Sequence, residues 1–189
     1  MSKFVLIDGH SILNRAFYGV PIFTNSEGLH TNAVFGFLNI MFKIIDSKQP
    51  DYMAVAFDVH QPTFRHEMFK DYKGTRKPMM EELREQVPVI KELLQKMNIT
   101  TVELPGYEAD DVIGTLSKKG EKAGMEVDVI SGDRDLLQLA SDHITICIPK
   151  TKKGQTTVEE YNTEGVRKLY KVTPTEFIDV KALMGDSSD

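Results

Sequence analysis

Carboxylates recur in five short clusters: Asp8, Asp58, Glu108 with Asp110 and Asp111, Asp133 with Asp135, and Asp186 with Asp189. Like charges repel, so a fold that gathers such groups needs a compensating cation. All-oxygen donors suit hard divalent ions such as Mg²⁺ and Mn²⁺. Two such ions roughly 4 Å apart can activate a water and stabilise a leaving oxygen, which points to phosphate-ester chemistry. Other routes find little support. The chain has no GxSxG elbow, no HExxH pair, no GxxxxGK[ST] loop and no apparent Cys–His pairing.

The acids need elements to position them. Four short apolar runs, Lys3–Ile7, Met53–Phe57, Glu126–Ile130 and Ile144–Ile148, predict strands of a buried parallel sheet. Between them, 31–47, 80–97 and 108–123 carry apolar residues at the three-and-four spacing of amphipathic helices. Two further helices are expected at 163–170 and 174–184, the second with a Thr173/Glu176 capping box. Strand–helix alternation predicts an α/β fold with a wound, mainly parallel central sheet flanked by helices. Ligands in such sheets bind beyond the carboxyl ends of the strands. Asp8, Asp58 and Asp133 follow predicted strands, so they fall on one rim. Pro105–Gly106 turns the chain into Glu108, Asp110 and Asp111. Acids in a helix's first turn are ordinary, because the dipole favours them, but three in four positions exceed what capping needs. Glu108 and Asp111, three apart, are expected to share a helical face.

The 189 residues fit one domain, 41% of them hydrophobic. The single Cys147 excludes an internal disulfide framework, reads as a small buried hydrophobe and fits a reducing, cytoplasmic setting. No stretch approaches the length of apolar residues that a membrane span needs, and the N-terminus turns acidic too soon for a signal peptide.

A net charge of −5 argues against nucleic acid at first sight. Between His60 and Lys77, however, five basic residues (Arg65, Lys70, Lys73, Arg76, Lys77) outnumber two acids. This segment also carries turn-formers, aromatics and weak periodicity, the marks of a functional or mobile loop. Arg65, Lys73 and Arg76 are candidate phosphate ligands. Phe64 and Tyr72 could stack on unpaired bases, worth about 1–3 kcal/mol each, although packing within the segment is the plainer use for an aromatic. The run 150–155 (KTKKGQ) reads as a polar β-turn.

Taken in order, LIDGHS at 6–11, AFD at 56–58, FRHEMFKDYKGTR at 64–76, YEADD at 107–111, SGDRDLLQL at 131–139 and KALMGDSSD at 181–189 resemble a known family. It is the 5′-nuclease domain of bacterial DNA polymerase I, part of the flap-endonuclease group in the PIN-like superfamily. The resemblance spans essentially the whole chain and implies a structure-specific nuclease removing 5′ flaps and primers with two Mg²⁺ or Mn²⁺ ions. It implies that Asp8, Asp58, Glu108 and Asp110 build the first metal site. Asp111, Asp133, Asp135, Asp186 and Asp189 then build or support the second. Residues 60–80 would form an arch over the 5′ strand, with Lys73 and Arg76 on the scissile phosphate and Arg65, Tyr72, Phe64 and Lys70 nearby.

The resemblance also implies a monomer acting on DNA with a 5′ flap or a single-stranded 5′ end, attached to a polymerase domain in a longer chain. The family's duplex-gripping helix–turn–helix element would follow Asp189. Asn14 stands where the family often has an aromatic that stacks a terminal base; either Phe17 or Tyr18 substitutes or the stacking is weaker. Other readings to weigh are a phosphatase or PIN-like single-stranded RNase on the same plan, and a non-catalytic nucleic-acid- or metal-binding module.

Overall fold

The computed structural model describes residues 1–75, 78–152 and 155–185. Six strands form one sheet: β1 (Lys3–Asp8), β2 (Tyr52–Ala56), β3 (Thr100–Val102), β4 (Glu126–Ile130), β5 (Ile144–Lys152) and β6 (Gln155–Tyr161). Their order is β3-β2-β1-β4-β5-β6, parallel except for the antiparallel β5–β6 pair. Successive connections run outward from β1 to β3 and then return to the other side of β1. The topological switch point therefore lies between β1 and β4, the place where open α/β sheets bind ligands.

Eight helices are described: α1 (Gly9–Gly19), α2 (Asn32–Lys48), α3 (Phe64–Met68), α4 (Glu81–Arg84), α5 (Gln86–Lys96), α6 (Ala109–Lys122), α7 (Thr163–Tyr170) and α8 (Glu176–Met184). A one-turn 3₁₀ helix covers Asp135–Leu139. Side chains alternate across a strand, so Val5 and Ile7 pack with α1, α2 and α5 on one face. Leu6 faces the other way, into the layer built with α6, α7 and α8. Burial on both faces explains why the strands read as continuous apolar runs rather than as alternating ones.

The expected wound sheet is present, with several elements that periodicity did not reveal. β3 is only three residues and two of them are threonine; β6 (QTTVEEY) is polar because it is an edge strand with one open side. The turn expected at 150–155 falls partly outside the described residues, and Lys152 pairs with Gln155 across it. The helix expected over 80–97 is two helices, parted at Glu85. Pro88 has no N–H to bond the carbonyl four residues back, which lets the chain turn there. The Thr173/Glu176 box forms: the Glu176 N–H donates to Thr173 Oγ1 (3.2 Å) and the Thr173 N–H to Glu176 Oε2 (2.8 Å).

Unexpectedly, the first acid leads straight into a helix. Asp8 ends β1 and caps α1, accepting the Ser11 N–H at 3.1 Å. The chain can make this turn because residue 9 is glycine: a Cβ there would stand 2.4 Å from Phe57 Cε1. Gly9→Ala is expected to destabilise the protein by about 1–3 kcal/mol through overpacking. Thermal unfolding should show a midpoint several degrees lower; an unchanged midpoint would mean that the Phe57 ring moves aside without cost.

Candidate metal centre

The carboxyl ends of β1, β2 and β4 and the start of α6 open onto one cavity of about 350 Å³. Six of the expected acids line it: Asp8, Asp58, Glu108, Asp110, Asp133 and Asp135.

Asp8 lies deepest. Beside its capping bond to Ser11, its Oδ2 accepts the Ser131 hydroxyl at 2.7 Å. Ser131 directly follows β4 on the other side of the switch point and is fully buried. Its Oγ in turn accepts the Asp133 N–H (3.0 Å), and Ser11 Oγ accepts the Gly132 N–H (2.9 Å). These bonds tie the β1 end to the β4 loop. Burial, helped by the nearby Asp58 charge, pushes the Asp8 carboxyl up to about 6 even though its donors pull the other way.

Asp58 follows β2 by two residues and accepts the Ala109 N–H, the first amide of α6, at 2.7 Å. His10 Nδ1 lies 3.3 Å from its Oδ2. Burial works to raise its pKa, but these bonds and the His10 and Lys73 charges prevail, holding it below the ordinary carboxylate range.

Asp110 is the anomaly. Partly buried, it receives neither a hydrogen bond nor an ion pair from any described residue. Burial, then the charges of Asp8, Asp133, Asp58 and Glu108, push it up to about 8. A carboxylate set among four others with no donor of its own suits a bound cation. Among the described residues no group of three His, Cys, Asp or Glu side chains is already drawn together tightly enough to hold a metal ion. The acids share a cavity without converging on one point.

Glu108 and Asp111 do share a side: Arg65 Nη1 lies 2.7 Å from Asp111 Oδ2 and 3.8 Å from Glu108 Oε2. Glu108 is the extended N-cap of α6, just outside the helix proper. It lines the acid cavity, where Lys73 Nζ lies 2.9 Å from Oε1 and the Tyr72 hydroxyl donates to Oε2 at 3.2 Å. Asp111 lies outside that lining, taking the Arg65 guanidinium in a two-pronged pair (2.7 and 2.8 Å) and the Glu108 N–H at 3.0 Å. The Arg65 bond holds the Asp111 carboxyl below its usual range. Asp133 Oδ1 accepts the Asp135 N–H (2.8 Å), and Asp135 pairs with Lys181 of α8 at 2.9 Å.

Of the expected nucleic-acid ligands, Lys73 and Tyr72 line the acid cavity and Arg65 sits just outside it. Phe64 stacks on Arg65 (4.6 Å) and against Tyr107 (5.7 Å) rather than facing the acids. Lys70 is exposed and outside the cavity lining. Arg76, Asp186 and Asp189 lie outside the described residues. Sequence reasoning missed Ser11, His10 and Ser131 as parts of the site. Ser131 sits where a strand meets Gly-Asp, the one usable signal, but hydroxyls there are common turn formers.

The raised acids make stability pH-dependent. A carboxyl raised in the folded state binds more protons than in the unfolded chain between about pH 4 and 8, so stability falls as pH rises through that window. Asp110→Asn should remove part of that slope, stabilising the metal-free protein at pH 8 by on the order of 2 kcal/mol and hardly at all at pH 4. Urea unfolding in chelator at the two pH values checks this; equal effects at both would deny the crowding of charge at Asp110.

Comparison with known proteins agrees with this geometry. The polymerase I of Bacillus subtilis (strain 168) is 52% identical over 187 residues, covering 99% of this chain and 21% of its own length. That of Bacillus caldotenax is also 52% identical, with the same coverage. The chain thus spans about a fifth of the length of the curated relatives it matches. The fold is that of a bacteriophage T5 flap endonuclease solved in a pseudo-enzyme–product complex with DNA and metal ions (TM-score 0.75, 24% identity, 99% of this chain and 68% of that one). A family model described as "5'-3' exonuclease, N-terminal resolvase-like domain" matches residues 3–171. With its switch-point acids in place and nearly its whole length matched, the chain belongs to the 5′-3′ exonuclease N-terminal domain family.

Proposed function

We propose that this chain is a structure-specific 5′-nuclease domain that hydrolyses phosphodiester bonds of 5′ flaps and primers in DNA, with two divalent ions, as part of a longer polymerase I chain. The observation that carries this reading is Asp110: a carboxylate with no donor among the described residues, its pKa raised by burial and by four neighbouring acids over one cavity. The oxygen-only donor set suits Mg²⁺ or Mn²⁺. Asp8, Asp58, Glu108 and Asp110 would hold the first ion; Asp133 and Asp135, with Asp186 and Asp189, would hold the second. Asp111 supports the site from behind, through Arg65. When bound, such ions supply a water of lowered pKa and neutralise charge on the phosphate oxygens.

The chain's own residues do the rest. Ser131 and Ser11 fix the Asp8 carboxylate in orientation, as outer partners of a ligand do. The Ala109 amide does the same for Asp58. Lys73, held at a positive φ of 56° so that it leans over Glu108, offers a phosphate a point charge within the cavity. Arg65 and Tyr72 add a cation and an aromatic ring on the same side, suited to the 5′ strand. The substrate class follows from this pairing of an acid floor with a basic segment above it. The protein would work as a monomer on DNA.

The test compares a labelled 5′-flap duplex, single-stranded RNA and a phosphomonoester as substrates, with and without Mn²⁺. The expected result is cleavage of the flap only, in Mn²⁺ only. Asp8→Asn and Asp133→Asn should lower cleavage by at least about a hundred-fold while circular dichroism stays unchanged. RNA cut in preference to the flap would favour the RNase reading. No cleavage of any substrate would favour a binding module. Mg²⁺ at a hundred times its dissociation constant should stabilise the fold by about 2.7 kcal/mol; a melting temperature unmoved across the titration would mean that the acids bind no ion.

A further inference from the structure

A second hollow, about 670 Å³, opens beside the acid cavity. The two are continuous: Tyr72, Glu108, Asp110 and Asp135 line both. One wall is α6, the other the 3₁₀ helix 135–139, which contributes Leu136 and Leu139. Moving along α6 away from the acids, the lining changes sign to Lys118, Lys119 and Lys122. Counted from Asp111, these residues follow at seven, eight and eleven positions, so they form one stripe down the helix. Lysines in a last helical turn also complement the helix dipole. The dipole gives no reason for the hollow they line or for its opening onto the acids. Lys118 is committed to Glu121 (3.1 Å), whereas Lys119 and Lys122 have no side-chain partner among the described residues.

The stripe from Asp111 to Lys122 is roughly 16 Å long at the helical rise. A single strand presents both surfaces this lining suits, open base faces and a charged backbone, whereas a duplex keeps its base faces stacked inside. One extended strand fits: sugars and bases against Leu136, Leu139 and the bare backbone at Gly114, phosphates toward the lysines. We infer that the α6 hollow is the path of the 5′ single strand beyond the acid cavity, with Lys119 and Lys122 binding its phosphates. This rests on the nuclease reading above, since that reading places a phosphodiester where the two hollows join.

The test is fluorescence anisotropy of flap substrates labelled at the 5′ end, with flaps of about one and about eight nucleotides. Ca²⁺ replaces Mg²⁺, and the protein is the 189-residue chain or the double variant Lys119→Ala/Lys122→Ala. Long-flap affinity should fall roughly ten-fold, with a salt slope reduced by about 1.4. Short-flap affinity should stay within about two-fold. Equal losses on both flaps, or no loss on the long one, overturn the assignment. Loss of flap binding on Lys168→Ala, a lysine of α7 outside this hollow, would also overturn it by showing mere surface charge. Cleavage of the short flap in Mn²⁺ separately tests the nuclease reading, because flap-length dependence of binding needs no turnover.

Discussion

Repulsion among carboxylates at the sheet's switch point is the constraint to which the surrounding structure answers. Hydrogen-bond donors are supplied to Asp8 by Ser11 and Ser131 and to Asp58 by the start of α6. Cations are supplied to Glu108 and Asp111 by Arg65 and Lys73 of the segment from α3 to Gly74. Arg65 reaches both Glu108 and Asp111, and the other partners serve one acid each. Asp110, in the middle, has none among the described residues, and burial together with the neighbouring charges raises its pKa. A fold optimised for stability alone would not leave a carboxylate in that state; functional sites commonly carry such a cost.

The architecture suits this purpose because it separates the acids in sequence and joins them only at one rim. β1, β2 and β4 are neighbours around the switch point, yet each delivers its acid at the end of an independently packed strand. The cores on the two faces anchor the strands, so the rim's geometry does not rely on the mutually repelling groups themselves. Two serines and one backbone amide then set the directions of the carboxylates. The basic segment from α3 to Gly74 is held by its attachment to these same acids, through Arg65, Tyr72 and Lys73, rather than by a core of its own.

What the sequence revealed and what it hid divides along physical lines. Doubly buried strands announce themselves as apolar runs, so β1, β2, β4 and the start of β5 were legible, and with them the rim and its acids. The three-residue β3 and the polar edge strand β6 bury too little to leave that trace. α1 was hidden for a different reason. Ile12, Leu13, Ala16 and Phe17 do carry helical spacing, but Asp8–Gly9 reads as a turn until one sees Asp8 capping the helix. The spacing of Glu108 and Asp111 agrees with their sharing Arg65, but it did not reveal that only Glu108 also lines the acid cavity. Ser131 was invisible for want of any chemistry of its own; it acts by holding Asp8 and the Asp133 backbone.

The two ends of the sheet have a bearing on how this unit sits beside other protein. At one end β3 offers a ladder of only three residues. At the other, β6 presents adjacent Glu159 and Glu160, the first bound to Lys150 and the second to Lys48. Short borders and charged borders both discourage an incoming strand from pairing. Lateral extension of the sheet is thus disfavoured on either side, which directs a neighbouring domain or second molecule toward helices and loops rather than the strand backbone.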